Sequence, residues 1–128
     1  MLQGTILANF IPITEPVTEL DKIDLIKGSG AEVQPGATVT AHYTGAYAVN
    51  GEIFQSSHDH GQPIPFSLSQ VIAGWKDGVP GMRVGGTRRL VIPAEQAYGV
   101  APEGYTPGSS DRPMGPLVFD IELVALEQ

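Results

Sequence analysis

The sequence predicts an α+β domain in which antiparallel strands carry a single short helix packed across the concave face of their sheet. Two observations lead there. Several segments alternate apolar and polar residues with a period of two, the pattern of strands with one buried face. Only Val71-Ile72-Ala73-Gly74-Trp75 reads as helix, and Gly78-Val79-Pro80-Gly81-Met82 cuts it off within two turns, short of the usual ~11 residues. That run holds the only tryptophan of the chain. So large an aromatic on so short a helix is read as the floor of a concavity.

The elements follow in chain order. Residues 1–16 contain Phe10-Ile11-Pro12 and Glu15-Pro16 and read as an extended arm whose prolines forbid a helix. The arm is assigned no chemistry, and residues 17–128 are read as one domain. Lys27-Gly28-Ser29-Gly30 and Gln34-Pro35-Gly36 are turn signals, with a short strand on either side. Thr38 to Tyr47 alternates, placing Val39, Ala41 and Tyr43 on one face and Thr40, His42 and Thr44 on the other. Asn50-Gly51 predicts a tight hairpin, because both residues tolerate positive φ. Thr87 to Pro93 is a further strand, with Leu90 and Ile92 opposite Arg89 and Val91. In the last strand, Leu117 to Ala125, Leu117, Phe119, Ile121 and Leu123 point inward, and Asp120 and Glu122 outward.

Composition narrows the function. A chain of 128 residues can bury one core. It has no cysteine, which excludes a disulfide framework, a thiolate zinc site and a cysteine nucleophile. A formal charge of −7 argues against nucleic acid or an anionic membrane as partner. Arg83, Arg88 and Arg89 form a local basic cluster, read as a solvated strand face offsetting nearby acids. No apolar run is long enough to span a bilayer, and no charged-then-apolar signal segment is present. The chain as written is therefore expected to be a cytoplasmic monomer; an export signal or anchor lost ahead of Met1 would place it outside.

The remaining motifs carry little chemistry. His58-Asp59-His60 lacks a third histidine nearby, and successive loop residues rarely converge on one metal ion, so a solvated loop is expected. Ser56, Ser57, His58 and Asp59 contain triad residue types but cannot easily adopt the relay geometry as neighbours. Gly81-Met82-Arg83-Val84-Gly85-Gly86 lacks the Gly-Lys-Ser/Thr ending of a phosphate loop and reads as a turn. His42 reads as a structural hydrogen-bonding histidine. No metal or cofactor is expected.

Four segments recur together: Ala41-His42-Tyr43-Thr44-Gly45, Val71 through Met82, Ala97-Tyr98-Gly99 and Leu117-Val118-Phe119-Asp120. In this order, from about Val17 to Leu126, they resemble the FKBP family of peptidyl-prolyl isomerases. The resemblance implies a twisted, half-open antiparallel sheet wrapped around one short helix, and an isomerase acting on proline-containing peptides and unfolded protein clients. Macrolides of the tacrolimus or rapamycin type are the implied inhibitors. By the same resemblance Trp75 lies under the proline ring, walled by Tyr43, Phe54 and Phe119, with Phe66, Val71 and Ile72 completing the pocket. The Ile72 backbone N–H and the Tyr98 hydroxyl are the implied donors to substrate carbonyls.

Some positions depart from the family pattern. Gln55 stands where an aspartate is usual, and His60 where an arginine able to pair with it is common, so the ion pair is replaced as a unit. Ile64, a substrate-contacting position, stands where an aromatic is frequent. The segment joining Tyr98 to Leu117 is longer than usual, and within it Tyr105 and Met114 read equally as lid residues or exposed loop positions.

The chemistry suits an apolar pocket. Prolyl isomerisation breaks no covalent bond and crosses a rotational barrier of about 18–20 kcal/mol, which arises from amide resonance. The twisted transition state has lost that resonance and is less polar, so a water-excluding pocket binds it better than the planar amide. Two alternatives stand beside the isomerase: a module that keeps the pocket but isomerises poorly because Gln55 and the altered lid retune it, and a chaperone acting through bulk hydrophobic contact. By the resemblance, a chaperone insert would lie between Tyr98 and Leu117 or between the strands near Phe54, and neither segment is long enough to form a domain.

Overall fold

The computed structural model describes residues 2, 4–99 and 113–127. Among them the chain forms a six-stranded antiparallel sheet and one α-helix. The strands are β1 (Asp21–Ile26), β2 (Thr38–Tyr47), β3 (Ile53–Ser56), β4 (Ile64–Ser67), β5 (Thr87–Ile92) and β6 (Leu117–Glu127); the helix α1 is Ala73–Gly78. The sheet runs β1-β5-β6-β2-β3, with β4 also paired to β2. Thus β2 is held along its length by β6, while its other edge is shared by β4 (Thr38 to Ala41) and β3 (Thr44 to Ala46).

The period-two reading matches the packing. Val39, Ala41 and Tyr43 of β2 join Leu90 and Ile92 of β5 and Leu117, Phe119, Ile121 and Leu123 of β6 in one core against α1. The helix approaches closely because two of its residues have no side chain. A Cβ on Gly74 would sit 2.5 Å from Ile92 Cγ2, and one on Gly78 would sit 2.7 Å from Leu90 Cδ2. The α+β architecture thus has the helix on the concave face, as the alternation predicts.

The hairpin at Asn50-Gly51 is wider than the tight turn expected. Only Gly51 takes positive φ (75°). Its N–H donates to the Tyr47 carbonyl at 2.7 Å, and Tyr47 N–H donates to Glu52 at 3.0 Å. Asn50 instead uses its side-chain oxygen to accept from the Glu52 N–H at 2.8 Å, an alternative to left-handed backbone for this residue type.

The arginine cluster is not a solvated face. Arg88 and Arg89 are 8% and 7% exposed. Being adjacent on β5, they point to opposite sides of the sheet. Arg88 Nε donates to Asp24 Oδ1 on β1 at 2.7 Å, and its Nη1 donates to the Gly78 carbonyl at 2.8 Å and the Pro80 carbonyl at 3.2 Å. It therefore caps the C-terminal end of α1, where carbonyls lack helical partners. Arg89 forms a two-pronged pair with Asp120, at 2.7 and 2.9 Å. Arg83 alone keeps the surface character expected, half exposed and 3.5 Å from Glu32.

The arm, described at residues 2 and 4–16, does more than extend. Leu7 is buried with Ala46, Ile53, Val91 and Val118 on the convex face of the sheet, and Phe10, Ile13 and Val17 pack around them. The prolines keep the arm non-helical, and its apolar residues give it a face to dock.

The Arg88 hydrogen bond holds the Asp24 carboxyl below the usual carboxylate range, against the opposing effect of desolvation. A depressed carboxylate adds stability that is fully present above its unfolded value, about 3.9, and is lost as pH falls through the folded value. Asp24→Asn should lower Tm at pH 7 by roughly 2–6 °C, the scale of ~1 kcal/mol of screened, charge-assisted hydrogen bonding. The difference from wild type should shrink on acidification below about pH 4. A Tm gap independent of pH would show that the carboxylate charge contributes nothing.

Candidate functional site

Trp75 is the third residue of α1 and is 4% exposed. With Gly74 and Gly78 pressed on β5, its indole is carried to the open end of the concave face. Phe66 of β4 lies 4.8 Å from it between ring centroids, Phe119 of β6 at 5.5 Å and Tyr43 of β2 at 5.7 Å. The last two contacts are edge-to-face, the arrangement that aromatic quadrupoles favour. Four separate elements thus contribute one ring each, and the rings are the floor and walls of a cleft of about 290 Å³. This is near the small end of the ~300–1,000 Å³ range typical of small-ligand sites.

Phe54 closes the far wall. It sits at a β-bulge: Gly45 of β2 pairs with Gln55 and Ala46 with Ile53, so Phe54 has no cross-strand partner. Its ring meets Phe119 edge-on at 5.7 Å. Gly45 makes this possible. A Cβ there would lie 2.6 Å from Phe54 Cζ and 2.7 Å from Phe119 Cε1.

The polar groups at the cleft are neutral. Gln55, Gln70 and Tyr98 stand with Val71 and Ile72 around its edge, and among the described residues no charged side chain lines it. Tyr98 is 39% exposed, so its ring reaches the rim rather than the floor. Burial, and then the neighbouring Tyr98, push the Tyr43 phenol above its ordinary range, so it stays a neutral hydroxyl through physiological pH. Ile72 is the N-cap of α1, with no side-chain cap. Its carbonyl accepts from Trp75 and Lys76 N–H groups at 3.0 and 3.1 Å, which fixes the turn that the cleft is built on.

Tyr43, Phe54, Gln55, Phe66, Val71, Ile72, Trp75, Tyr98 and Phe119 are therefore brought together. Ile64 is not: it is half-buried against the main core and does not line the cleft. β4 pairs directly opposite Ala41 at this position, and Phe66, two residues on, takes the place facing Trp75. His60 is exposed and is not among the residues that line the cleft. Met114 is half-buried at the base of the long segment, 3.3 Å from where a Gly99 Cβ would lie, and Gly115 N–H donates to the Gly99 carbonyl at 2.9 Å. Tyr105 lies outside the described residues.

Sequence reasoning missed Gln70 and the role of Gly45. Gln70 follows β4 in a turn and carries no periodic signal. Gly45 was legible only as part of a motif, since the clash that demands it involves Phe54 and Phe119 from two other strands.

The histidines are elsewhere. His42 faces the convex side, its Nδ1 2.9 Å from the buried Ser57 Oγ and its ring stacked on His58 at 4.0 Å. His58 Nε2 is 2.5 Å from Glu122 Oε2. Among the described residues no group of three or more acidic or histidine side chains is placed to hold a metal ion.

An open antiparallel sheet with an aromatic cleft over a short helix, uncharged among the described residues, defines a class of protein with an apolar binding cleft edged by neutral hydrogen-bonding groups. Comparison with known proteins gives that class its family. Residues 30–124 match the family model described as FKBP-type peptidyl-prolyl cis-trans isomerase. The chain is 46% identical over 115 residues to a probable FK506-binding protein of Corynebacterium glutamicum, covering 90% of this chain and 93% of that one. It is 43% identical over 117 residues to an FK506-binding protein of Streptomyces anulatus, covering 90% and 92%. Among solved structures, a peptidyl-prolyl cis-trans isomerase from Pseudomonas syringae pv. tomato superposes with a TM-score of 0.69 at 38% identity, over 85% of this chain and 76% of that one. The chain belongs to the FKBP-type peptidyl-prolyl cis-trans isomerase family.

Gly45→Ala should separate the Phe54 and Phe119 rings. Overpacking of this kind costs about 1–3 kcal/mol, so both Tm and affinity for a proline peptide should fall, affinity by about tenfold or more. Titration of the folded variant with peptide checks this, and unchanged affinity would mean the two rings do not form the binding wall.

Proposed function

We propose that this chain accelerates cis/trans rotation about Xaa-Pro bonds in peptides and folding proteins by holding the prolyl group in the Trp75 cleft. The observation that carries the reading is the closed set of aromatic rings with no charged side chain among the described lining residues. Such a lining replaces water around the amide with apolar surface. It disfavours the polar planar amide relative to the twisted one, the differential binding a catalyst requires. Trp75 supports the pyrrolidine ring, while Tyr43, Phe54 and Phe119 exclude water from it. The Tyr98 hydroxyl at the rim and the Ile72 N–H at the helix start are assigned to the flanking substrate carbonyls. Phe66 and Val71 complete the apolar contact.

The relatives named FK506-binding proteins support a macrolide of that type as a ligand for the same cleft. Gln55 offers a neutral amide where the family pattern has a carboxylate, so binding is expected to be weaker than in proteins that keep the acid. The same substitution supports the second reading, a proline-peptide binding module with little turnover. Trp75 and its three ring contacts are intact, which favours the enzyme.

A protease-coupled proline-peptide assay tests the proposal. Acceleration over the spontaneous rate is expected; none would leave the binding module. In the same assay Tyr98→Phe should lower kcat/KM about twofold to tenfold, since a neutral hydrogen bond contributes about 0.5–1.5 kcal/mol. No change in kcat/KM would remove the hydroxyl from the substrate contacts.

Rotation needs no proton transfer, and none of the three histidines lines the cleft. Corrected kcat/KM should therefore be nearly flat from about pH 5.5 to 8.5, across the reference histidine value of about 6.5. A tenfold change abolished by His42→Gln, His58→Gln or His60→Gln would instead require a general acid or base.

A further inference from the structure

We infer that residues 4–10 of the N-terminal arm are a positioning element for the cleft, acting through strand β3. This rests on the isomerase reading for its functional consequence, but the contacts stand without it.

β3 is only four residues long, and its hold on β2 is broken at Phe54 by the bulge. The segment that carries both Phe54 and Gln55 is therefore weakly fixed along its β2 edge. The arm holds the other edge. Gly4 N–H donates to the Ile53 carbonyl at 2.8 Å, Ile53 N–H donates to the Thr5 carbonyl at 2.8 Å, and Leu7 N–H donates to the Gly51 carbonyl at 2.8 Å. Ile6 and Glu52 form an antiparallel bridge. The arm thus adds an antiparallel bridge along residues 51–53, immediately before the position where the ladder is interrupted.

Side chains set the direction of the pull. Ile53 is 3% exposed and packs with Leu7, 6% exposed, on the convex face. Successive strand residues point to opposite faces, so anchoring Ile53 behind the sheet directs Phe54 into the cleft. The arm is itself clamped from β5. Arg89 Nη1 donates to the Asn9 carbonyl at 2.8 Å and Nη2 to the Ala8 carbonyl at 3.1 Å, while Phe10 lies 5.6 Å from the guanidinium. Asp120, adjacent to Phe119, holds that guanidinium in place. One buried ion pair therefore connects the arm to the strand bearing the opposite wall.

The test uses full-length Leu7→Asp, which places a charge in the apolar seat of the arm, with Phe10→Ala as a milder variant and Leu7→Met as the conservative control. Amide exchange of Ile53 reports arm docking directly, because its N–H donates to Thr5. Exchange of Leu90 and Ile121 reports the core. In Leu7→Asp we expect Ile53 exchange at least tenfold faster, Leu90 and Ile121 within twofold of wild type, and KM for a proline peptide raised threefold to tenfold with kcat changed less. Phe10→Ala should move the same readouts by smaller factors, and Leu7→Met should match wild type.

Faster Ile53 exchange with unchanged KM and kcat would overturn the positioning role. Unchanged Ile53 exchange in both disruptive variants would overturn the docking itself. Equal loss of protection at Ile53, Leu90 and Ile121 in both would make the arm a general stability element and also overturn the inference. An inactive wild type with the expected exchange pattern would sink the isomerase reading alone, and the effect on peptide affinity would then decide the arm's role.

Discussion

Helix α1 rests on β5 at a distance that no residue but glycine at 74 and 78 allows. Glycine in a helix costs up to ~1 kcal/mol relative to alanine, and a helix of six residues has no stability of its own. The sequence accepts that cost because the contact sets the height of the next residue, Trp75, above the sheet. Raised by a methyl group, the indole would lose the rings of Phe66, Tyr43 and Phe119 that now meet it. The cleft is thus a consequence of how flat the helix lies.

The two arginines of β5 stabilise this arrangement from opposite sides of one strand. Arg88 satisfies carbonyls at and just beyond the C-terminal end of α1 and is neutralised by Asp24, so the helix is anchored at the end farther from the cleft. Arg89 does the equivalent on the convex face, with Asp120 and two carbonyls of the arm. Buried charges are tolerable only when paired and hydrogen-bonded, and both conditions are met. The charges are thereby confined to places from which they hold the frame without lining the cleft.

Gln55 is the polar group of β3 at the cleft. It is exposed at the rim, where a neutral amide can donate and accept without placing a formal charge beside the bound ring. His60, which matches the family's arginine position, is exposed and outside the lining. Gln55 shares the edge of the cleft with Gln70 and Tyr98.

Local periodicity determined much of this protein. The faces of β2, β5 and β6 and the single helix around Trp75 could be read residue by residue, because pleat and helix repeat are properties of neighbouring residues. The aromatic lining was legible through residue type and family order. What only the tertiary structure decided involves partners far apart in the chain. Arg88 meets Asp24 64 positions away, and Arg89 meets Asp120 31 positions away, so their burial has no local signature. The same holds for Gly45, whose missing side chain makes room for rings from β3 and β6. It holds for the arm, whose prolines foretold an extended chain but not the convex surface it covers. Ile64 and Phe66 show the limit most clearly. Both lie on the same face of β4, yet only the second meets Trp75, because strand register and the position of α1 decide which ring is within reach.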